Sequence, residues 1–245
     1  MKTAAPTFRS MLQWTGLAVR VARYNLKIIF GNKFIFFFLA AVGFFLLLNV
    51  IFALSGSSPS YGIVYYYLLF PGLLLVFYPS TFGLQNDTDA RMLEILFGIP
   101  DYRYKVWLIR LVMMDILALL VLLGLAALSK LTVMPVPVFS MTVQLMLPIL
   151  FWASLGFAIS TIVRSGNGAA AVMIIIGLFL FILMEPLRTS KWNIFLNPYN
   201  IPSDMNETIW ESIVRQNRLY LLAGTILSTL FGLFQLQKRE RYVKG

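Results

Sequence analysis

Residues 34–54 form an unbroken run of 21 residues without a charge, from Phe34 to Leu54. As a helix rising 1.5 Å per residue it measures about 31 Å, enough to cross the hydrocarbon core of a bilayer. The pattern recurs along the chain. Further apolar stretches cover 63–84, 106–128, 141–163, 169–184 and 219–236. Of the 245 residues, 59% are hydrophobic and only 12% charged, with a mean hydropathy of +0.80. A soluble domain is nearer half apolar and a quarter charged. The expected fold is therefore an all-α membrane protein with six transmembrane helices spread over 34–236.

The segments between the spans are distinctive. Thr7 to Asn32 is amphipathic: Arg9, Gln13, Gly16, Arg20, Arg23 and Lys27 recur at steps of four and three, with Phe8, Met11, Leu12, Trp14, Val21, Tyr24 and Ile28 over much of the remainder. Residues 1–33 are thus expected to hold a helix in the cytoplasmic-side interface, its basic stems snorkelling to lipid headgroups. A soluble partner-binding helix is the competing reading. Six basic residues in this stretch, and no compact apolar run ending in a small-residue cleavage site, argue against a signal peptide. Pro71, Pro79 and Pro148 fall inside spans, where a proline kinks a helix.

Before the last span, Trp192 to Tyr199 is apolar, aromatic and too short to cross, so it reads as a segment dipping into the membrane. Pro202-Ser203-Asp204 with Glu207 reads as a capped helix start. Asp204, Glu207, Glu211, Arg215 and Arg218 fall on one stripe, and Met205, Ile209, Ile213 and Val214 on another. An external amphipathic helix leading into the last span is expected, with Glu211 and Arg215 spaced for an ion pair. Asn206-Glu207-Thr208 fits a glycosylation acceptor, a pattern common by chance.

The net charge is +10. With both termini cytoplasmic, fifteen of the twenty Lys and Arg lie inside and five outside: Lys130, Arg188, Lys191, Arg215 and Arg218. The positive-inside rule accounts for that excess, and no nucleic-acid partner is needed to explain it. Residues 237–245 form a basic cytoplasmic tail.

The chain has no cysteine and no histidine. That removes disulfides, thiol nucleophiles, imidazole bases and nearly every transition-metal site. No phosphate-binding loop, nucleophile elbow or dinucleotide fingerprint occurs, so no catalytic site, metal or cofactor is expected in this chain. Asp115 is the charge that no loop accommodates. If its span starts at Val106, the carboxylate sits near mid-membrane, where it would line a translocation or proton path. If the span starts near Leu111, Asp115 lies one turn below the surface and is hydrated. Arg110, five residues away, is about 140° round the helix and a poor partner.

The stretch 85–105, between the second and third spans, carries four acids and three bases. Its core reads Asp87-Thr88-Asp89-Ala90-Arg91-Met92-Leu93-Glu94-Ile95-Leu96-Phe97-Gly98-Ile99-Pro100. This resembles the permease subunits of type-2 ABC exporters. In that family an acidic run, a Leu-Glu pair, a short apolar stretch and a proline follow the second of six helices. Leu93, Glu94, Leu96 and Pro100 match in type and spacing, and Asp87 and Asp89 stand where the family often has glutamates. Arg91 and Met92 depart from its common Gly-Thr. Leu196-Asn197-Pro198 resembles the family's membrane-dipping segment, and the layout agrees over nearly the whole chain.

The resemblance implies an ATP-driven exporter subunit in a bacterial inner (plasma) membrane. It would pair with a second permease, a copy or a paralogue, and with two ATP-binding cassette ATPase subunits that hold ATP and Mg. Asp87, Asp89, Arg91, Leu93, Glu94, Pro100, Asp101 and Arg103 would form the coupling site. A short helix there, polar outside and apolar beneath, would sit in a groove of the ATPase, with Pro100 ending it. An ordinary solvated loop is the plain alternative. Two other function classes compete: a membrane-embedded lipid-modifying enzyme using Asp115 and Glu185, and an ion-driven secondary transporter, which should show an inverted repeat. Lipid, drug, peptide, ion and glycan exporters share this layout.

Overall fold

The computed structural model describes residues 34–55, 59–89 and 103–237. The interfacial helix expected within 1–33 and the tail from 238 onward lie outside the described residues, as do Arg91, Leu93, Glu94, Pro100 and Asp101 of the expected coupling site. Helices α1 (Phe34–Ser55) and α2 (Tyr61–Asp89) come first. A π-helical turn, Arg103–Leu108, runs directly into α3 (Ile109–Thr132). Then follow α4 (Val138–Val163), α5 (Gly166–Ile182) and α6 (Glu207–Gln235). Among the described residues the fold is all-helical, and five helices are long and apolar enough to cross a membrane. The exception is α5, apolar after Asn167 but 17 residues long.

Reversals of chain direction give the bundle two ends. One end, called here the loop end, gathers the end of α2, the start of α3, the α4–α5 turn and the end of α6. The other, the cap end, gathers the end of α1, the start of α2 and the long connection 183–206. The α4–α5 turn is tight because Arg164 adopts a left-handed conformation (φ 60°) and Ser165 caps α5, its hydroxyl accepting from the Gly168 N–H.

α4 is the central helix, packed against α2, α3, α5 and α6. Small residues let backbones approach closely there, as in membrane helix packing generally. A Cβ on Gly72 of α2 would meet Ile149 Cδ1 at 2.3 Å, and one on Gly156 of α4 would meet Ser80 Oγ at 2.6 Å. On α6, Gly224 and Gly232 lie under the rings of Phe151 and Phe157, with virtual contacts of 2.6 and 2.5 Å. α1 lies at the periphery against α2 and α3 and exposes large apolar side chains along its length. The one polar residue in its interior is satisfied: Asn49 donates to the Phe45 carbonyl (2.8 Å) and accepts from Thr132 Oγ1 (2.9 Å).

Two elements differ from the sequence reading. α2 continues five residues past Leu84, so Asp87 and Asp89 are helical rather than part of a connecting loop. The external amphipathic helix and the last span form one unbroken helix, because no Gly or Pro interrupts 207–223. That helix is capped by Asn206, whose side chain accepts from the Thr208 N–H, rather than by Ser203 or Asp204.

Candidate functional site

At the loop end, α2 and α3 flank the acidic motif and are joined across it. Asp87, in the last turn of α2, is 4% exposed and forms an ion pair with Arg110, the second residue of α3. The Arg110 guanidinium also lies 5.0 Å from the Trp107 ring centroid, and Trp107 stacks on Phe157 of α4 at 5.8 Å. A cation over an indole face is attracted by the ring quadrupole. Together these contacts fix both shoulders of the segment to the middle of the bundle.

Gln85 adds a third tie. Its Oε1 accepts from the Gly166 N–H at the start of α5 (2.5 Å), and its Nε2 donates to Asp89 (3.4 Å). Asp89 itself is exposed. Asp87 therefore faces inward to Arg110, whereas Asp89 faces outward. Arg103 belongs to the π-helical turn at the start of the continuous helical stretch leading into α3.

Asp115 lies five residues deeper along α3 than Arg110. One of its carboxylate oxygens is buried without a hydrogen-bond partner among the described residues. Arg110 is engaged by Asp87 instead, in keeping with the 140° that separates it from Asp115.

A second polar cluster, at the cap end, escaped the sequence reading. Arg218, expected on an exposed stripe, is 8% exposed. Its Nε donates to Gln144 Oε1 of α4 (2.8 Å), and one terminal nitrogen donates to Asn217 Oδ1 (3.0 Å). The other donates to Tyr65 Oη of α2 (3.3 Å) and to the Leu196 carbonyl (3.1 Å). Beside it, Asn217 Nδ2 donates to the carbonyls of Lys191 and Asn193 (both 2.8 Å). The buried face of α6 thus runs through Trp210, Asn217, Arg218 and Leu221, not through Met205, Ile209 and Ile213. Ile209 is exposed, and Glu211 and Arg215 form no ion pair.

These side chains hold the segment 190–199 against the bundle. Asn193 and Asn197 each fold it locally, their Oδ1 atoms accepting from the N–H groups of Phe195 and Tyr199 (both 3.0 Å). Asn197 Nδ2 donates to the Gly62 carbonyl of α2 (2.8 Å), and Trp210 Nε1 to the Pro198 carbonyl (3.1 Å). Phe195 and Leu196 are buried, with Phe195 6.2 Å from the Trp152 ring. Polar side chains here satisfy backbone groups that irregular structure leaves open. The available signal was Gln144 inside an apolar span and Asn193 and Asn197 in the apolar, aromatic segment 192–199, since amides so placed need partners.

No group of metal-ligating side chains occurs among the described residues. The chain matches no protein-family model, no curated protein and no solved structure.

Proposed function

We propose that this chain is the transmembrane subunit of an ATP-driven exporter, similar to the type-2 ABC permeases, with hydrolysis on separate ATPase subunits. In this reading α5 is a sixth crossing, the loop end faces the cytosol, both termini are cytoplasmic, and a second permease completes the path. The setting is a bacterial inner membrane.

One observation supports the coupling role above others. The two helices that flank the family-like motif are joined by the Asp87–Arg110 pair. A segment hinged at one end would swing without moving the bundle. One whose two flanking helices are pinned together passes a push on its tip to α2 and α3 jointly, and through Trp107 and Phe157 to α4. Packed elements respond to such a push by discrete rearrangement, the kind of motion alternating access needs.

The lipid-modifying alternative draws no support from the geometry. Its two acids lie in opposite halves of the bundle, Asp115 near the loop-end start of α3 and Glu185 just beyond the cap end of α5. They cannot act as a pair on one bond.

The test is gentle extraction of the full chain from its native membrane. An ATPase subunit should co-purify, and its yield should fall when Glu94→Arg and Asp89→Arg are introduced together. If no ATPase accompanies the wild-type chain and no ATP-dependent transport depends on it, the exporter reading is wrong.

A further inference from the structure

Three adjoining spaces follow α2 down from the cap end. The uppermost, a cavity of about 240 Å³, is polar and lined by Tyr66, Glu185, Arg188, Asn197, Asn200 and Trp210. Below it lies an apolar space of about 200 Å³, then another of about 290 Å³. They are continuous by shared walls. Tyr66 and Met184 line the first and second, while Phe70, Leu73, Phe181 and Phe195 line the second and third. Phe70, Leu73 and Phe77 of α2 form one side of this trough, Gly177 and Phe181 of α5 the other, and Trp152 of α4 contributes to its lower part. Phe70 and Phe181 are 46% and 65% exposed, so the trough opens sideways onto the surface that faces lipid.

The polar chamber is charged in both senses. The side chains of Glu185 and Arg188 are exposed and form no ion pair with each other or with another described residue. Asn193 and Asn197, by contrast, are spent on folding the wall itself. The chamber therefore offers a carboxylate, a guanidinium and two aromatic rings, Tyr66 and Trp210, around one space. A guanidinium suits a phosphate, and a carboxylate with nearby aromatic faces suits an ammonium. The combined space lies within the roughly 300–1,000 Å³ usual for ligand pockets.

We propose that chamber and trough are one binding site for a zwitterionic amphiphile, a lipid of the phosphoethanolamine type. The phosphate pairs with Arg188, the ammonium with Glu185, and an acyl chain lies between α2 and α5. The proposal deepens the exporter reading by naming a cargo class, yet binding itself requires neither ATP nor an ATPase.

The test uses the full chain in phosphatidylglycerol nanodiscs, whose lipid lacks an ammonium, carrying a trace of phosphatidylethanolamine with a photoreactive diazirine in one acyl chain. Crosslinked peptides are mapped by mass spectrometry. Labelling is expected to concentrate on Phe70–Phe77 and Gly177–Phe181, and to fall about fivefold or more in Leu73→Trp, which fills the trough. Leu227→Trp, a matched change on the exposed face of α6, should leave it unchanged. Arg188→Gln and Glu185→Gln, both at exposed positions, should each lower it about fivefold without altering thermal stability. Labelling spread evenly over the exposed faces of α1, α5 and α6 would mean annular lipid and overturn the site. Equal labelling by a phosphatidylglycerol probe, or indifference to Glu185→Gln, would overturn the headgroup assignment. A trough that labels as expected in a chain bringing down no ATPase would sink the exporter reading and leave this one standing.

Discussion

The Arg218 guanidinium carries a permanent charge into a place where every acceptor it meets is neutral: an amide oxygen each from Gln144 and Asn217, the Tyr65 hydroxyl and the Leu196 carbonyl. Four hydrogen bonds in different directions suit a planar five-donor fork, and a lysine ammonium cannot reproduce them. Arg218→Met strands the buried Asn217 Oδ1 and the Leu196 carbonyl, while the Tyr65 hydroxyl keeps its hydrogen bond to the Gln144 carbonyl (3.5 Å), and each unsatisfied buried group costs about 1–3 kcal/mol. A stability loss of about 3 kcal/mol is therefore expected in denaturant unfolding of the purified protein, with Arg218→Lys recovering less than half. A lysine variant as stable as the parent would show that charge alone matters there. The Asp87–Arg110 pair obeys a different rule. Asp87→Asn leaves Arg110, whose side chain is 11% exposed, without its counter-charge, a loss of about 3 kcal/mol. Removing both charges in Asp87→Asn/Arg110→Gln should recover most of that, because the uncompensated charge is what destabilises. The sequence identified Asp87 as a site residue but directed it outward. A charge run shows which residues are polar, and three-dimensional neighbours decide which of them turn inward.

Helix crossings in this bundle are set by where side chains are missing. Gly72, Gly156, Gly224 and Gly232 all lie where a Cβ would press on a neighbouring helix, whereas Gly43 of α1 and Gly124 of α3 have nothing within 4 Å. Gly232→Leu and Gly72→Leu should each lower stability by about 1–3 kcal/mol through overpacking. Gly43→Leu and Gly124→Leu should be neutral or slightly stabilising, since leucine is the better helix former. Thermal denaturation in one detergent separates the two sets, and equal effects in both would refute close packing as the reason for the glycines. The same contrast explains how much of the architecture can be read from sequence. Helices and their apolar character follow from run length and the absence of charge, both local properties. The end of α2 does not, because Gln85 and Asp87 read as loop residues until partners on α5 and α3 satisfy them, and the exposed Asp89 only continues the helix they hold. Nor does the buried face of α6, because Asn217 and Arg218 turn inward to meet a connecting segment whose position no periodicity records.

At the scale of the whole chain, the segment 190–199 and the α4–α5 turn are at opposite ends of the bundle, and each is tied to it by side chains rather than by regular structure. Asn217 holds the former with two hydrogen bonds to backbone carbonyls, so Asn217→Ala should release it locally while the helices persist. Faster amide hydrogen exchange confined to 190–199 is the expected sign, because local opening exposes only the backbone it frees. The two ends also fix an orientation that can be measured directly. The chain has no cysteine, so a single introduced thiol reports without background. Asp204 is exposed at the cap end and Asn167 at the loop end. Five long apolar helices need α5 as a sixth crossing if both termini are to share the side that the excess of bases selects. A membrane-impermeant maleimide added to intact cells should then label Asp204→Cys at once and Asn167→Cys only after the membrane is opened. The reverse pattern would put the acidic motif outside, beyond the reach of any cytosolic ATPase, and labelling of both in intact cells would mean that the two ends do not lie on opposite sides of the bilayer.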